Sequence, residues 1–160
     1  MLQIDPGPAF AYQVLDGLWI GSAPPIRSAH EDNNSSLVGM AAFDTLILCA
    51  AEYQPSPGLF PVRETISAPM EDAFEPISDI NATAATKAAK HVIARLSDKK
   101  QVLVTCLAGR NRSGLVCALA LCFGNPKMSA VAAIESVRKA RGHYALANPF
   151  FVEFIKSIAK

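Results

Sequence analysis

The sequence predicts an α/β fold: a single domain on a central, mostly parallel sheet of about four to five strands, with helices on both faces. Three observations lead to it. Thr45-Leu46-Ile47-Leu48-Cys49 and Val102-Leu103-Val104 are continuous apolar runs, the pattern of strands buried on both sides, as parallel strands are. Apolar residues then recur at helical spacing between and after these runs, so strands alternate with helices. Of the 160 residues, 51% are apolar and only 18% charged, which suits one domain with one large core and excludes disorder as the overall state.

In chain order, residues 1–14 hold two prolines and read as an irregular lead-in to a domain over residues 1–160. Leu18-Trp19-Ile20, between Gly17 and Gly21, is a short strand in which Trp19 serves the core. Residues 23–36 carry two prolines and Asn33-Asn34-Ser35-Ser36, and Ser35 or Ser36 would cap a short helix over residues 37–43. After the strand at 45–49, Pro55, Pro57, Gly58 and Pro61 mark a loop, and residues 62–67 form another strand, closed by Pro69. Residues 70–76 are an acidic loop. Ser78 or Asp79 caps the helix that follows, with Ile80, Ala84, Ala88, Val92 and Leu96 on its apolar face. Asp98-Lys99-Lys100 turns into the strand at 102–104, and residues 115–122 are an apolar helix broken by Gly124-Asn125-Pro126. Ser129 caps a helix with Ile134, Val137 and Ala140 on one side, ended by Arg141-Gly142. Asn148-Pro149 opens the last helix, where Phe151, Phe154, Ile155 and Ile158 repeat at helical spacing.

A net charge of +1 leaves no whole-molecule field to recruit nucleic acid or an anionic membrane, so any affinity for phosphate must be local. No apolar stretch approaches the roughly 20 residues a membrane span needs. The first ten residues lack the basic start and apolar core of a signal peptide. Cys49, Cys117 and Cys122 lie in apolar runs and read as small core residues, and no cysteine or histidine (His30, His91, His143) has metal-ligand spacing. We therefore expect a cytoplasmic monomer, without metal or cofactor, that binds neither nucleic acid nor membrane.

The chemistry sits between the strand at 102–104 and the helix at 115–122, in Cys106-Leu107-Ala108-Gly109-Arg110-Asn111-Arg112-Ser113-Gly114. A tight loop between a strand and a helix N-terminus turns backbone N–H groups toward one point, and the first helical turn adds the positive end of its dipole there. A thiol opening such a loop is drawn toward thiolate by those donors and by arginine. Arg112 adds a planar fork that grips two phosphate oxygens at once, which lysine cannot do. Cys106 is thus the candidate nucleophile, Arg112 the candidate clamp, and Leu107, Ala108, Gly109, Arg110 and Asn111 the candidate phosphate loop. Ser113 has the position of a helix N-cap. Thiolate attack on a phosphate ester leaves an oxyanion that needs a proton, and the acidic loop offers Glu71, Asp72 and Glu75. Asp79 is better explained as a cap and Glu75 as solvated.

Cys-x5-Arg-Ser after a strand, with Gly109 inside it and a helix next, resembles the signature loop of the protein tyrosine phosphatases. Ala108-Gly109, the short chain, Leu18-Trp19-Ile20-Gly21 and Asn148-Pro149 look most like the dual-specificity branch. The resemblance implies hydrolysis of phosphotyrosine and phosphoserine/threonine through a cysteinyl-phosphate. It identifies Asp72, 34 positions before Cys106 in Ala68-Pro69-Met70-Glu71-Asp72, as similar in place to the family's general acid. It also gives the Ser113 hydroxyl the task of stabilising the departing thiolate. Where Thr105 stands, the family usually carries histidine; threonine cannot hold a charge, and a modest loss of rate is the expectation.

Other readings stay open at this point. A pseudophosphatase would bind phosphorylated partners without turnover, consistent with Thr105 but not with the intact Cys106, Arg112 and Ser113. Arg110 would add a cation at the pocket rim and suit a polyanionic substrate such as a phosphoinositide or an RNA 5′-phosphate, and Asn111 before Arg112 resembles the RNA-phosphatase members of the family. A third reading is a sulfur-transfer or arsenate-reducing enzyme with a similar loop; arsenate reduction would want resolving cysteines in reach, whereas Cys117 and Cys122 lie along an apolar helix.

Overall fold

The computed structural model describes residues 11–24, 26 and 39–159. Five strands, β1 (Ala11–Leu15), β2 (Leu18–Gly21), β3 (Thr45–Ala50), β4 (Glu64–Met70) and β5 (Val102–Thr105), form one sheet in the order β1-β2-β5-β3-β4. β1 and β2 are an antiparallel hairpin, and every other neighbouring pair is parallel. The hairpin turns on Asp16-Gly17, with Gly17 at φ +86°, the left-handed backbone such a tight turn requires. Residues 11–14 are therefore strand, which corrects their reading as part of the irregular lead-in; Asp-Gly after alternating Tyr12-Gln13-Val14 was the available signal.

Four helices follow β4: α1 (Asp79–Ser97), α2 (Arg112–Gly124), α3 (Ala130–Arg141) and α4 (Pro149–Ile158). They cover one face of the sheet, where Leu18, Ile20, Ile47, Val102 and Val104 meet Ala88, Val92, Leu115, Leu119, Val137, Phe151 and Ile155. The other face carries a smaller core of Trp19, Leu46, Leu48 and Leu103 under Met40, Phe43 and Phe60. Among the described residues that cover is a helical turn at Gly39 and Met40, within the short helix expected over residues 37–43, a short 3-10 helix (Pro57–Leu59) and loops. The expected Ser35 or Ser36 cap lies outside the described residues, as does His30.

The caps explain the helix starts. Ser78 Oγ accepts from Asn81 N at 3.1 Å, Ser129 Oγ from Ala132 N at 3.1 Å, and Asn148 Oδ1 from Phe150 N at 3.0 Å. Two expectations are corrected. β4 continues through Pro69 to Met70, which an edge strand allows because one side of it makes no ladder bonds. Ile80 is 79% exposed; α1 buries Ala85, Ala88, Ala89 and Val92, so its inward stripe is rotated from the expected one. α2 is buried from Arg112 to Cys122 and is the central helix of the packing.

The parallel strands run the same way, so their carboxyl ends converge. Gly21 and Leu48 both pair with Thr105, and β5 is flanked by β2 and β3 at the point where it ends. In open α/β sheets this is the edge where ligands bind.

Candidate active site

Cys106 leaves β5 at that edge and is 3% exposed. Its backbone N–H donates to Gly21 O at 3.3 Å, and its sulfur lies 3.2 Å from Ser113 Oγ. α2 starts at Arg112, so Ser113 lies inside the helix and is not its N-cap; the preceding Asn111 makes no side-chain cap bond either. This corrects the cap reading and leaves the Ser113 hydroxyl directed at the thiol.

The loop carbonyls explain how the nest is shaped. Leu107 O accepts from Ala23 N at 3.1 Å, Ala108 O from Arg141 Nη2 at 3.1 Å, Gly109 O from Arg141 Nε at 3.0 Å, and Arg110 O from Leu146 N at 3.1 Å. A trans peptide points its N–H opposite to its C=O. With four successive carbonyls drawn outward, the N–H groups of Ala108, Gly109, Arg110 and Asn111 turn toward the inside of the loop. Gly109 sits at φ +67°, and a Cβ there would lie 2.5 Å from Gly21 C and 2.6 Å from Ser22 N. Only glycine lets the loop lie this close against the end of β2. The Leu107, Ala108 and Arg110 side chains are exposed.

Arg112 is 6% exposed, and its guanidinium is divided between two tasks. Nη1 and Nη2 donate end-on to Glu52 Oε2 and Oε1 at 2.5 and 2.6 Å, and Nη1 also reaches Met70 O at 3.1 Å. The remaining edge, Nε–H with the second Nη2 hydrogen, is the other two-toothed face of the fork. Nε is buried and has no partner among the described residues. Burial works against the Arg112 charge, but the Glu52 hydrogen bonds and the nearby Cys106, Glu52 and Asp72 outweigh it and hold its pKa above the ordinary arginine value. In return the hydrogen bond from Arg112 holds the Glu52 carboxyl down at about 2.

Asp72 follows β4 at the same edge. Its Oδ2 accepts from Asn111 Nδ2 at 2.8 Å and its Oδ1 from Asn148 Nδ2 at 2.9 Å, so the acidic loop reaches the phosphate loop and the start of α4. Cys106, Arg112, Ser113 and Asp72 are thus brought together. The Glu71 backbone pairs with the Asn81 amide, its N–H donating to Asn81 Oδ1 at 3.3 Å and its C=O accepting from Asn81 Nδ2 at 3.0 Å. Thr105 is buried and donates to Ile47 O at 3.1 Å, tying β5 to β3. Cys49 and Cys117 are buried thiols pushed well up, first by burial and then by the neighbouring Cys106.

Sequence reasoning missed three residues. Glu52 follows β3 directly, and its place at a strand's carboxyl end was the one local hint. In the sequence Arg141 marks a helix end and Asn148 a helix start, and neither pattern points to the loop they touch. Among the described residues no cluster of histidine, cysteine, aspartate or glutamate is placed to hold a metal ion, and no helix is long and apolar enough to cross a membrane.

Comparison with known proteins agrees with this fold. The profile of the tyrosine phosphatase family matches residues 13–133. Among solved structures, Tk-PTP in its active form superposes with a TM-score of 0.77 at 21% identity, over 95% of this chain and 97% of that one. A mouse putative dual specificity phosphatase complexed with zinc tungstate gives 0.72 at 24%, over 95% and 87%. Human DUSP28 gives 0.70 at 24%, over 96% and 95%. At these identities the likeness is one of fold. No curated protein matches the sequence.

Proposed function

Since the chain belongs to the tyrosine phosphatase family, and is a cysteine-dependent phosphatase with the fold of the dual-specificity members, we propose that Cys106, Arg112, Ser113 and Asp72 carry out a two-step hydrolysis of phosphate monoesters. A lone pair of the Cys106 thiolate attacks phosphorus in line. The bond from phosphorus to the leaving oxygen breaks, and Asp72 gives that oxygen its proton. Asp72, now a carboxylate, takes a proton from a water whose oxygen attacks the cysteinyl-phosphate. The S–P bond breaks, and the Ser113 hydroxyl donates to the returning thiolate. The products are an alcohol or phenol and inorganic phosphate, and the enzyme is unchanged.

The observation that carries this reading is the unpartnered Arg112 Nε–H, buried beside Cys106 with the opposite face of its fork already held by Glu52. A buried donor without an acceptor is costly, and an anion with two oxygens to offer removes that cost. The inward N–H groups of residues 108–111 serve the same anion as charge redistributes in the transition state. These protein donors supply the positive charge the phosphoryl group needs.

The finer parts of the proposal concern substrate and setting. The substrate is a phosphorylated protein, with phosphotyrosine and phosphoserine/threonine both admitted. The enzyme works as a monomer in the cytoplasm, where Cys106 stays reduced; four free cysteines support a reducing compartment. A polyanionic substrate remains a weaker reading, resting on the exposed Arg110 side chain alone.

The test is hydrolysis of para-nitrophenyl phosphate between about pH 5 and pH 8 in EDTA. Wild type should turn over, Cys106→Ser should not, and Asp72→Asn should lose the limb of the pH profile that reports the proton donor. Vanadate binding without turnover in wild type would instead make the loop a recognition site.

A further inference from the structure

The acidic loop carries Asp72 on an exposed stretch, and an exposed loop carboxylate normally ranges through solvent. Here it does not. Both Asp72 oxygens are held by side-chain amides, and the orientation of each amide is set by what its own oxygen accepts. Asn148 Oδ1 caps α4 by accepting from Phe150 N at 3.0 Å, which turns Nδ2 the other way. The two Nδ2 hydrogens then go to Asp72 Oδ1 at 2.9 Å and Ala73 O at 3.0 Å. The Asn148 backbone N–H donates to Asn111 Oδ1 at 3.2 Å, which turns the Asn111 Nδ2 onto Asp72 Oδ2 at 2.8 Å. Every polar atom of the Asn148 side chain is thereby used, in a residue only 5% exposed. Two residues along on each side, Phe74 and Phe150 meet edge to face with centroids 5.3 Å apart.

We propose that Asn148 is a positioning residue for the proton donor: it holds the Asp72 carboxyl at the phosphate loop before substrate arrives, with Asn111 as the second hand. The inference rests on the reading of Asp72 as general acid. A helix cap is thus coupled to the chemistry, because one carboxamide does both jobs and its geometry allows neither to drift. Holding the carboxyl in place matters where the leaving oxygen is a poor one that cannot depart without a proton. For a good leaving group it matters little.

The experiment uses that difference. Asn148→Ser keeps the cap acceptor but has no amide nitrogen, and Asn148→Asp keeps the cap but sets a carboxylate against Asp72. Each is compared with wild type on para-nitrophenyl phosphate and on an alkyl phosphate, with thermal unfolding measured alongside. The expected result is a change within about threefold in kcat/KM on the nitrophenyl ester and a loss of about tenfold or more on the alkyl ester. In the double variant with Asp72→Asn, the Asn148 change should add nothing further, because both act through one proton. An equal loss on the two esters, or a loss that adds to that of Asp72→Asn, would overturn the inference while leaving Asp72 in its role. If Asp72→Asn itself does not distinguish the two esters, the general-acid reading falls and takes the inference with it. Should the serine variant fail to fold, the aspartate variant alone decides between these outcomes.

Discussion

Replacing Glu52 by glutamine keeps the shape of the side chain and one acceptor for Arg112, but removes the charge. The magnitude follows from where the two partners sit. The Arg112 side chain is 7% exposed and that of Glu52 47%, so the pair joins a buried cation to a carboxylate half in water. Charge-assisted bonds of this length are worth about 1.5–3 kcal/mol when desolvated, and an exposed pair about 0–1 kcal/mol. Discounted for the water on the Glu52 side, the change should cost about 1–2 kcal/mol, or a fall in Tm of about 2–8 °C for a chain of this size. The pH dependence is a sharper readout. The carboxyl titrates at 4.5 when free and at about 2 in the fold. Its folded value is lowered, so the stabilisation is fully present above pH 4.5 and is lost as pH falls toward 2. Urea unfolding of wild type and Glu52→Gln should therefore show a constant gap from pH 7 to pH 5 and a closing gap below pH 4.5. Vanadate inhibition at neutral pH should weaken as well, because the end of the fork facing Glu52 is no longer fixed. A gap that persists unchanged to pH 3, or no gap at pH 7, would refute the account of Arg112 as a cation held ready by its partner.

Gly109→Ala places a methyl group 2.5 Å from Gly21 C at φ +67°. Left-handed backbone costs about 1–2 kcal/mol and overpacking about 1–3 kcal/mol, so a Tm drop of at least 4 °C with loss of vanadate affinity is expected; normal turnover would show that the loop can move off β2. Arg141→Met keeps the stem but removes the donors to Ala108 O and Gly109 O and the cation over the Tyr12 ring at 4.7 Å. Loosened carbonyls let the inward N–H groups swing, so kcat/KM on para-nitrophenyl phosphate should fall about tenfold, and an unchanged value would mean the loop holds its shape without Arg141.

The loop that carries the proposed nucleophile and clamp was legible because the elements that build it are contiguous. A β-branched run, a glycine, an arginine at fixed spacing and an apolar helix are enough to specify a strand, a nest and a helix start. The Asp-Gly hairpin is also written in local turn chemistry, next to a proline-bearing segment that reads as irregular. Ser113 shows the limit of local rules. Its type and place fit a cap, but α2 begins one residue earlier and the hydroxyl faces Cys106 instead. Ile80 shows another limit: helical spacing identifies a stripe, but the sheet beneath α1 decides which line of it is buried.

What the sequence alone determined is the local layout of residues 102–124, a strand, a glycine-bearing loop and a helix, because each is specified within one element. What the tertiary structure decided are the partners: Asn111 with Asp72 across 39 residues, Arg112 with Glu52 across 60, and Asn148 with Asp72 across 76. No periodicity encodes these pairs. They meet because parallel neighbours in the order β2-β5-β3-β4 end at the same edge, so the residues after each strand gather around the loop that follows β5. Strand order is set by which buried faces pack best over the whole sheet, and only the folded chain settles that.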